Sequence, residues 1–391
     1  MRSRKFVFVL ALATVLTAAP ASAVLSPASI PAAFEELLQQ PSLSNPAMIL
    51  IDGTSGEVVY EKNAFSQRKP ASVMKIFAGA VAIKYLDMQS RFTTNISLGV
   101  NEKTLVIQGS NDPWISLSHS VAEKMDRASL PYLAFNTLSA VKKSNKGSLK
   151  GITILYSKLY SQDVSNLKAF WAKRGFKPVM KAVSSDETLL NANEFIVGDQ
   201  SPEVYKILDY MMLWSENNLA ERLARLASRA AGNSFNDKGV AEEFEALLVE
   251  YGIDSSKLVT KDASGLSKEN RVTAIMMGQL LYQLRKDPKY TPLYNSLPIG
   301  GISGTLRSRF LTTAPNAVGL VRAKTGTLNG TVTLAGYVES TDREYVFVTL
   351  ADDISRGNAA SDKARAAIDR ILGRIAAPNI PAEISAVPAT P

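Results

Sequence analysis

Strand-like segments stand at both ends of this 391-residue chain, and helical periodicity fills much of what lies between. Near the N-terminus, AMILIDGTSGEVVYEKN alternates apolar and polar residues about a Gly-containing turn, the pattern of a β-hairpin. Near the C-terminus, GLVRAK, TVTLAGYVES and EYVFVTLAD read as three strands, and DKARAAIDRILGRIA marks a closing helix. One sheet can therefore be built from both termini, with helices packed on it. Between them, SVMKIFAGAVAIKYL starts at Ser72 and predicts a largely buried helix. From Arg91 to Gly198, short runs such as TLVIQG and GITILYS alternate with polar stretches, which predicts an inserted α/β subdomain at 91–198. Helical periodicity returns from Pro202 in VYKILDYMMLW, NLAERLARLASRA, VAEEFEALLVEYG and TAIMMGQLLYQLR. The main domain would then be split into 24–90 and 199–377, with a Pro/Ala-rich disordered tail at 378–391.

The first 23 residues read as a secretory signal. Arg2, Arg4 and Lys5 precede the short apolar run FVFVLALATVL, and Ala21-Ser22-Ala23 supplies small residues for cleavage. The run is too short for a stable membrane span, so no transmembrane segment is expected after its removal. The expected location is periplasmic or otherwise extracytoplasmic, at the cell wall. Losing three basic and no acidic residues lowers the net charge from +8 to +5, a mild excess that reads as a solvated surface. No basic block with interleaved aromatics points to nucleic acid. Cysteine is absent and His119 is the single histidine, which excludes thiol catalysis, disulfides and a multi-histidine metal site.

Hydrolytic chemistry in such a chain needs a base other than histidine. A serine hydroxyl is a poor nucleophile without one, and a lysine with a pKa lowered by burial can take that role. Ser72 and Lys75 stand at i and i+3 on the predicted helix, on one face. S-x-x-K alone is common: Ser66–Lys69 and Ser165–Lys168 repeat it and read as surface residues. What singles out Ser72 is the order of motifs after it. Ser215-Glu216-Asn217 opens a helix as S-x-N, and Lys324-Thr325-Gly326-Thr327 closes a strand as K-T-G, the one such triplet in the chain.

This triad of motifs resembles the penicillin-binding proteins and serine β-lactamases. More narrowly, the chain is similar to the D-alanyl-D-alanine carboxypeptidase/endopeptidase family, the low-molecular-mass class C penicillin-binding proteins. PASVMKIF, IQGSNDPWIS, SPEVYKILDYMMLWSENNLAERLAR, DASGLSKENRVT, LPIGGISGTL and AKTGTLNGTVTLAGYV carry the likeness, from Ala47 to Leu350. It implies an α/β (α+β) transpeptidase-type fold: an antiparallel five-stranded sheet flanked by helices, plus a helical half. By this resemblance Ser72 attacks a D-Ala-D-Ala carbonyl with Lys75 as base. Ser215 passes a proton to the leaving amine, and Asn217 holds Lys75 and the substrate backbone. Lys324 adds positive charge that keeps Lys75 neutral. Thr325, Gly326, Thr327 and Lys268 bind substrate, and the backbone N–H groups of Ser72 and Thr327 form the oxyanion hole. The substrates implied are peptidoglycan peptides, with β-lactam antibiotics as covalent inhibitors and no metal or cofactor.

Three departures stand out. Glu216 replaces the usual Asp, Ala263 a common Gly, and Lys268 a frequent Arg. The 140 positions from Lys75 to Ser215 are also fewer than the family's usual interval, which leaves open the choice between free stem peptide and cross-link. Glu187-x-x-Leu190-Asn191 imitates a β-lactamase deacylation motif but precedes Ser215 instead of following it. Asp112-Pro113 reads as a turn, Ser234-Phe235-Asn236 as a turn or cap, and Met211, Met212 and Trp214 as core. Rival readings are a β-lactamase or esterase on the same fold, and a wall-peptide-binding protein that acylates but turns over poorly.

Overall fold

The computed structural model describes residues 24–378; the signal expected at 1–23 and the tail beyond Pro378 lie outside the described residues. The chain opens with α1 (Ile30–Leu37) and the hairpin β1 (Ala47–Asp52) and β2 (Val58–Lys62). A 3-10 turn (Ala71–Met74) then runs into α2 (Lys75–Tyr85). Next come β3 (Arg91–Gly99), β4 (Thr104–Gly109), α3 (His119–Met125), α4 (Leu130–Ser144) and β5 (Thr153–Ser157). They are followed by α5 (Ser161–Ala172), β6 (Val179–Ala182), α6 (Ser185–Asn191) and β7 (Ala192–Glu203). A helical stretch follows: α7 (Val204–Trp214), α8 (Asn217–Ala230), α9 (Asp237–Glu250), α10 (Ala274–Lys286) and the short α11 (Thr291–Asn295). Strands β8 (Val321–Leu328), β9 (Thr331–Ser340) and β10 (Arg343–Ala351) precede α12 (Asn358–Gly373).

The first sheet has the order β2-β1-β10-β9-β8, and every pairing in it is antiparallel. The two ends of the chain meet where β1 pairs with β10, from Ala47↔Leu350 to Asp52↔Tyr345. All six residues of β1 are buried, so the alternation expected of the hairpin appears only in the edge strand β2. The reason is that helices cover both faces. Ile49 and Ile51 join the core of α2, α8 and α10, while Met48 and Leu50 join that of α1 and α12. The hairpin turn is held by Asp52, whose carboxylate accepts the N–H groups of Thr54 and Ser55.

A second sheet, β6-β5-β4-β3-β7, is mixed: β4, β5 and β6 run parallel, and β3 is antiparallel to β4 and β7. Its own core gathers Ile96, Ile107, Ile154, Phe176 and Trp171, whose Nε1 donates to the Ala134 carbonyl at 2.9 Å. The boundary expected at 198 falls inside β7, whose pairing with β3 reaches Glu203. This layer meets α8 through arginines. Arg222 donates to the Pro113 carbonyl (3.1 Å) and lies over the Tyr160 ring, and Arg229 donates to Asn111 Oδ1 (2.8 Å). Asp112 makes the expected turn by accepting the Trp114 N–H; burial pushes its carboxyl up to about 7.

Helix α2 is buried throughout from Lys75 to Ile83, as its apolar run predicts. Met211 and Met212 also pack in the core. Trp214 does not: it is 44% exposed, with Arg307 over its ring. The closing helix lays Ala364, Ile368, Ile371 and Leu372 on the first sheet. Among the described residues, no helix is long and apolar enough to cross a membrane.

Phe77 stacks on Phe244 at 5.2 Å and is wholly buried between α2 and α9. Phe77→Ala should lower stability by roughly 3–5 kcal/mol, read as a lower urea midpoint with an unchanged slope.

Candidate active site

Ser72 lies in the 3-10 turn just ahead of α2, partly open to solvent, where its N–H has no helical partner. One turn on, Lys75 is completely buried, and its Nζ reaches three oxygens: Ser72 Oγ at 2.9 Å, Asn217 Oδ1 at 2.7 Å and the Ser264 carbonyl at 2.7 Å. The last two can only accept. In the neutral amine they take both hydrogens, which leaves the nitrogen lone pair facing Ser72, whose hydroxyl then becomes the donor. Burial lowers the Lys75 pKa to about 8, against the upward pull of Glu221, Asp262 and Glu216. A usable neutral fraction therefore exists near pH 7.

The amine is held by backbone as much as by side chains. Glu221, one turn beyond Asn217 on α8, accepts the N–H groups of Ala263 (3.0 Å) and Ser264 (2.8 Å), which aims the Ser264 carbonyl at Lys75. Asp262 accepts from Gly265 N, Ser267 N and Asn270 Nδ2, knitting the loop to itself. Gly265 has φ +81°, and a Cβ there would stand 1.8 Å from the Ala71 carbonyl, so the loop closes on the Ser72 turn only with glycine. Neither Glu221 nor Ser264 was anticipated. A backbone acceptor leaves no mark in the sequence, although the i+4 spacing of Glu221 from Asn217 put both on one helix face.

The K-T-G strand passes directly against Ser72. A Cβ at Gly326 would lie 2.9 Å from the Ser72 nitrogen and 3.0 Å from the Pro70 carbonyl, which Thr333 Oγ1 also binds at 2.8 Å. β8 is the sheet's edge strand, and the Ala323 N–H donates outward to the Pro298 carbonyl. Backbone N–H groups alternate along a strand, so those of Thr325 and Thr327 also point out of the free edge. Lys324 is fully buried, with Nζ on the Thr325 carbonyl at 3.0 Å. Burial first, and then Lys75, push the Lys324 pKa well below its usual value.

The remaining expected residues divide. Ser215 sits in the left-handed conformation (φ 60°) between α7 and α8, with no side-chain hydrogen bond among the described residues. Glu216 turns to cap α8, accepting the Leu219 N–H at 2.8 Å. Thr325 bonds Thr305 Oγ1 (2.8 Å), and Thr327 accepts from Arg365 (3.1 Å). Lys268 is exposed on the 262–270 loop, and no hydrogen bond or ion pair of its side chain ties it to this cluster. Ser165 and Lys168 lie exposed on α5, and Lys69 Nζ is taken by the Asp352 carbonyl. Glu187 belongs to the first turn of α6, beside the second sheet. His119 bonds Ser129 and stacks on Tyr132, and Asn236 caps α9.

Comparison with known proteins agrees with this geometry. The sequence profile of the D-Ala-D-Ala carboxypeptidase 3 (S13) family matches residues 30–194 and 144–375. Carboxypeptidase DacB of Mycolicibacterium smegmatis is 28% identical over 379 residues, covering 84% of this chain and 81% of that protein. A D-alanyl-D-alanine carboxypeptidase of Actinomadura sp. (strain R39) is 38% identical over 160 residues, covering 39% of this chain and 29% of its own. Among solved structures, penicillin binding protein 4 (dacB) from Haemophilus influenzae in complex with a β-lactam superposes with a TM-score of 0.68. It is 18% identical and covers 88% of this chain and 98% of that one. A predatory endopeptidase from Bdellovibrio bacteriovorus gives a TM-score of 0.56 at 16% identity, covering 85% and 94%. With the S-x-x-K, S-x-N and K-T-G segments brought to one cleft on this fold, the chain belongs to the D-Ala-D-Ala carboxypeptidase (S13) family of hydrolases.

Proposed function

We propose that this protein is an exported, penicillin-sensitive D,D-peptidase that cleaves D-Ala-terminated peptidoglycan stem or cross-link peptides through an acyl-enzyme on Ser72. The observation that carries this reading is the three-oxygen cage around Lys75 Nζ, which leaves a lone pair only toward Ser72. Neutral Lys75 takes the Ser72 proton as Oγ attacks the carbonyl of the D-Ala-D-Ala bond. The developing oxyanion is met by the N–H groups of Ser72 and Thr327, the latter on the free edge of β8. The proton passes by way of Ser215 to the departing amine, and water, activated by the same lysine, releases the acyl group. The basic and apolar start of the chain supports export. The self-contained core of the second sheet supports reading residues 91–198, extended through β7, as a subdomain inserted into the peptidase domain.

Two outcomes are expected. Ser72→Ala should cut D-Ala release from a stem peptide by on the order of a thousandfold or more and abolish labelling by fluorescent penicillin, without loss of fold. Rapid antibiotic hydrolysis with no D-Ala release from the wild type would instead identify a β-lactamase. A lasting adduct with neither turnover would identify a binding protein.

The second outcome concerns pH. The base works only when neutral, so kcat/KM should rise with pH through a limb near the Lys75 value of about 8. Glu221→Gln keeps an oxygen for the Ala263 and Ser264 N–H groups but removes the charge that favours the ammonium form. The limb should then move to lower pH by roughly one unit. A limb that stays in place would separate Glu221 from the ionisation of Lys75.

A further inference from the structure

The positive charge of this chain is concentrated in its inserted region. Residues 91–198 carry 14 Lys or Arg against 8 Asp or Glu, a net +6, whereas the rest of the chain beyond residue 23 carries 27 against 28. From Lys142 to Lys181 there are ten basic residues and one acid, Asp163, which is buried.

The winding of the second sheet gathers most of that charge at one end. β4, β5 and β6 are parallel and in step, with Thr104 opposite Thr153 and Thr153 opposite Val179, so the segments leading into them lie side by side. The Thr153 N–H donates to the Lys103 carbonyl and the Val179 N–H to that of Ile152, both at 3.0 Å. Lys103 stands in the first segment, Lys146 and Lys150 in the second and Lys177 in the third. Glu102 is the one acid among residues 99–103, 145–152 and 173–178. The crossover helices finish at the same end, α4 with Lys142 and Lys143 in its last turn and α5 just ahead of Lys173 and Arg174. All eight cations are exposed, and none has an ion-pair partner among the described residues. Compensation of the helix dipoles accounts for the four at helix ends but not for the four loop lysines.

Two apolar side chains stand among them. Val100, in the turn between β3 and β4, is 62% exposed, and Val179, the first residue of β6, is 66% exposed. The opposite end of the same strands is the one joined to the rest of the molecule. There Asn111 and Pro113, after β4, and Tyr160, after β5, meet Arg229 and Arg222 of α8. The basic end therefore points away from α8, by the roughly 16–20 Å that strands of five or six residues span.

We infer that this end of the inserted subdomain is a docking surface for an anionic lipid bilayer. Lysines on flexible stems collect at the headgroup phosphates, and each adds to the attraction. Val100 and Val179, at the points of two loops, enter the boundary between headgroups and acyl chains, a gain that a hydrated polyanion would not provide. Docking by this end turns α8 and the Ser72 cleft away from the lipid. The inference is independent of the chemistry at Ser72.

The test is co-sedimentation with phosphatidylcholine vesicles containing one third phosphatidylglycerol, beside vesicles of phosphatidylcholine alone. The protein should bind the first and not the second, and 0.5 M NaCl should release it. Replacing Lys103, Lys146, Lys150 and Lys177 together by alanine should weaken binding about a hundredfold or more. Val100→Ser with Val179→Ser should weaken it about fivefold or more with the salt dependence retained. These six side chains are exposed, so both variants should melt as the wild type does. The valine pair and the salt series carry the test should the lysine variant fail to fold. No binding to the anionic vesicles, equal binding to both kinds, or unchanged binding by either folded variant overturns the inference. Capture of soluble inorganic polyphosphate with the vesicles left bare also overturns it, and identifies a hydrated polyanion as the partner.

Discussion

A lysine amine without water around it is the interaction on which this structure depends. Full burial of Lys75 makes its charged form costly, and the three oxygens around Nζ let the neutral form be fully bonded. Three carboxylates, Glu221, Asp262 and Glu216, pull the other way. The balance places the amine where it can accept a proton and later return it. Each of those carboxylates also has a structural duty, holding backbone N–H groups of the 262–270 loop or capping α8. The electrostatic setting of Lys75 and the rigidity of its surroundings therefore come from the same side chains.

That arrangement explains why distant segments must converge. Ser72 is on the turn into α2, the amide of Asn217 on the first residue of α8, the Ser264 carbonyl on a loop before α10, and the flanking strand is β8. The core joining α2, α8 and α10 under the first sheet sets these four pieces in register. Gly265 and Gly326 mark the two places where backbone comes so close to the Ser72 turn that any side chain would collide.

β8 also divides the labour between its two faces. Its even-numbered residues, Lys324 and Gly326, face the amine and the Ser72 turn, and its odd-numbered residues, Thr325 and Thr327, face a hydroxyl-lined cleft and α12. A period of two puts the two lysines and the hydroxyl-lined cleft on opposite faces of a single strand.

Much of this was legible beforehand. Apolar runs bounded by Gly, Asn and Ser placed the strands and helices, and strands at both termini allowed one sheet shared between them. The ordered S-x-x-K, S-x-N and K-T-G motifs, with one histidine and no cysteine, left a lysine-activated serine as the chemistry, because those residue types carry their reactivity with them. Other features depended on neighbours far along the chain. Burial of both faces of β1, exposure of Trp214, the pairing of β7 beyond residue 198 and the exposed position of Lys268 are examples. So are the Ser264 carbonyl, the grip of Glu221 on the loop and the reach of Arg365 to Thr327. Sequence by itself determined which groups can react, since that is a property of side-chain type. Only the tertiary structure decided what surrounds each lysine, because desolvation and hydrogen-bond geometry exist only once the segments are packed.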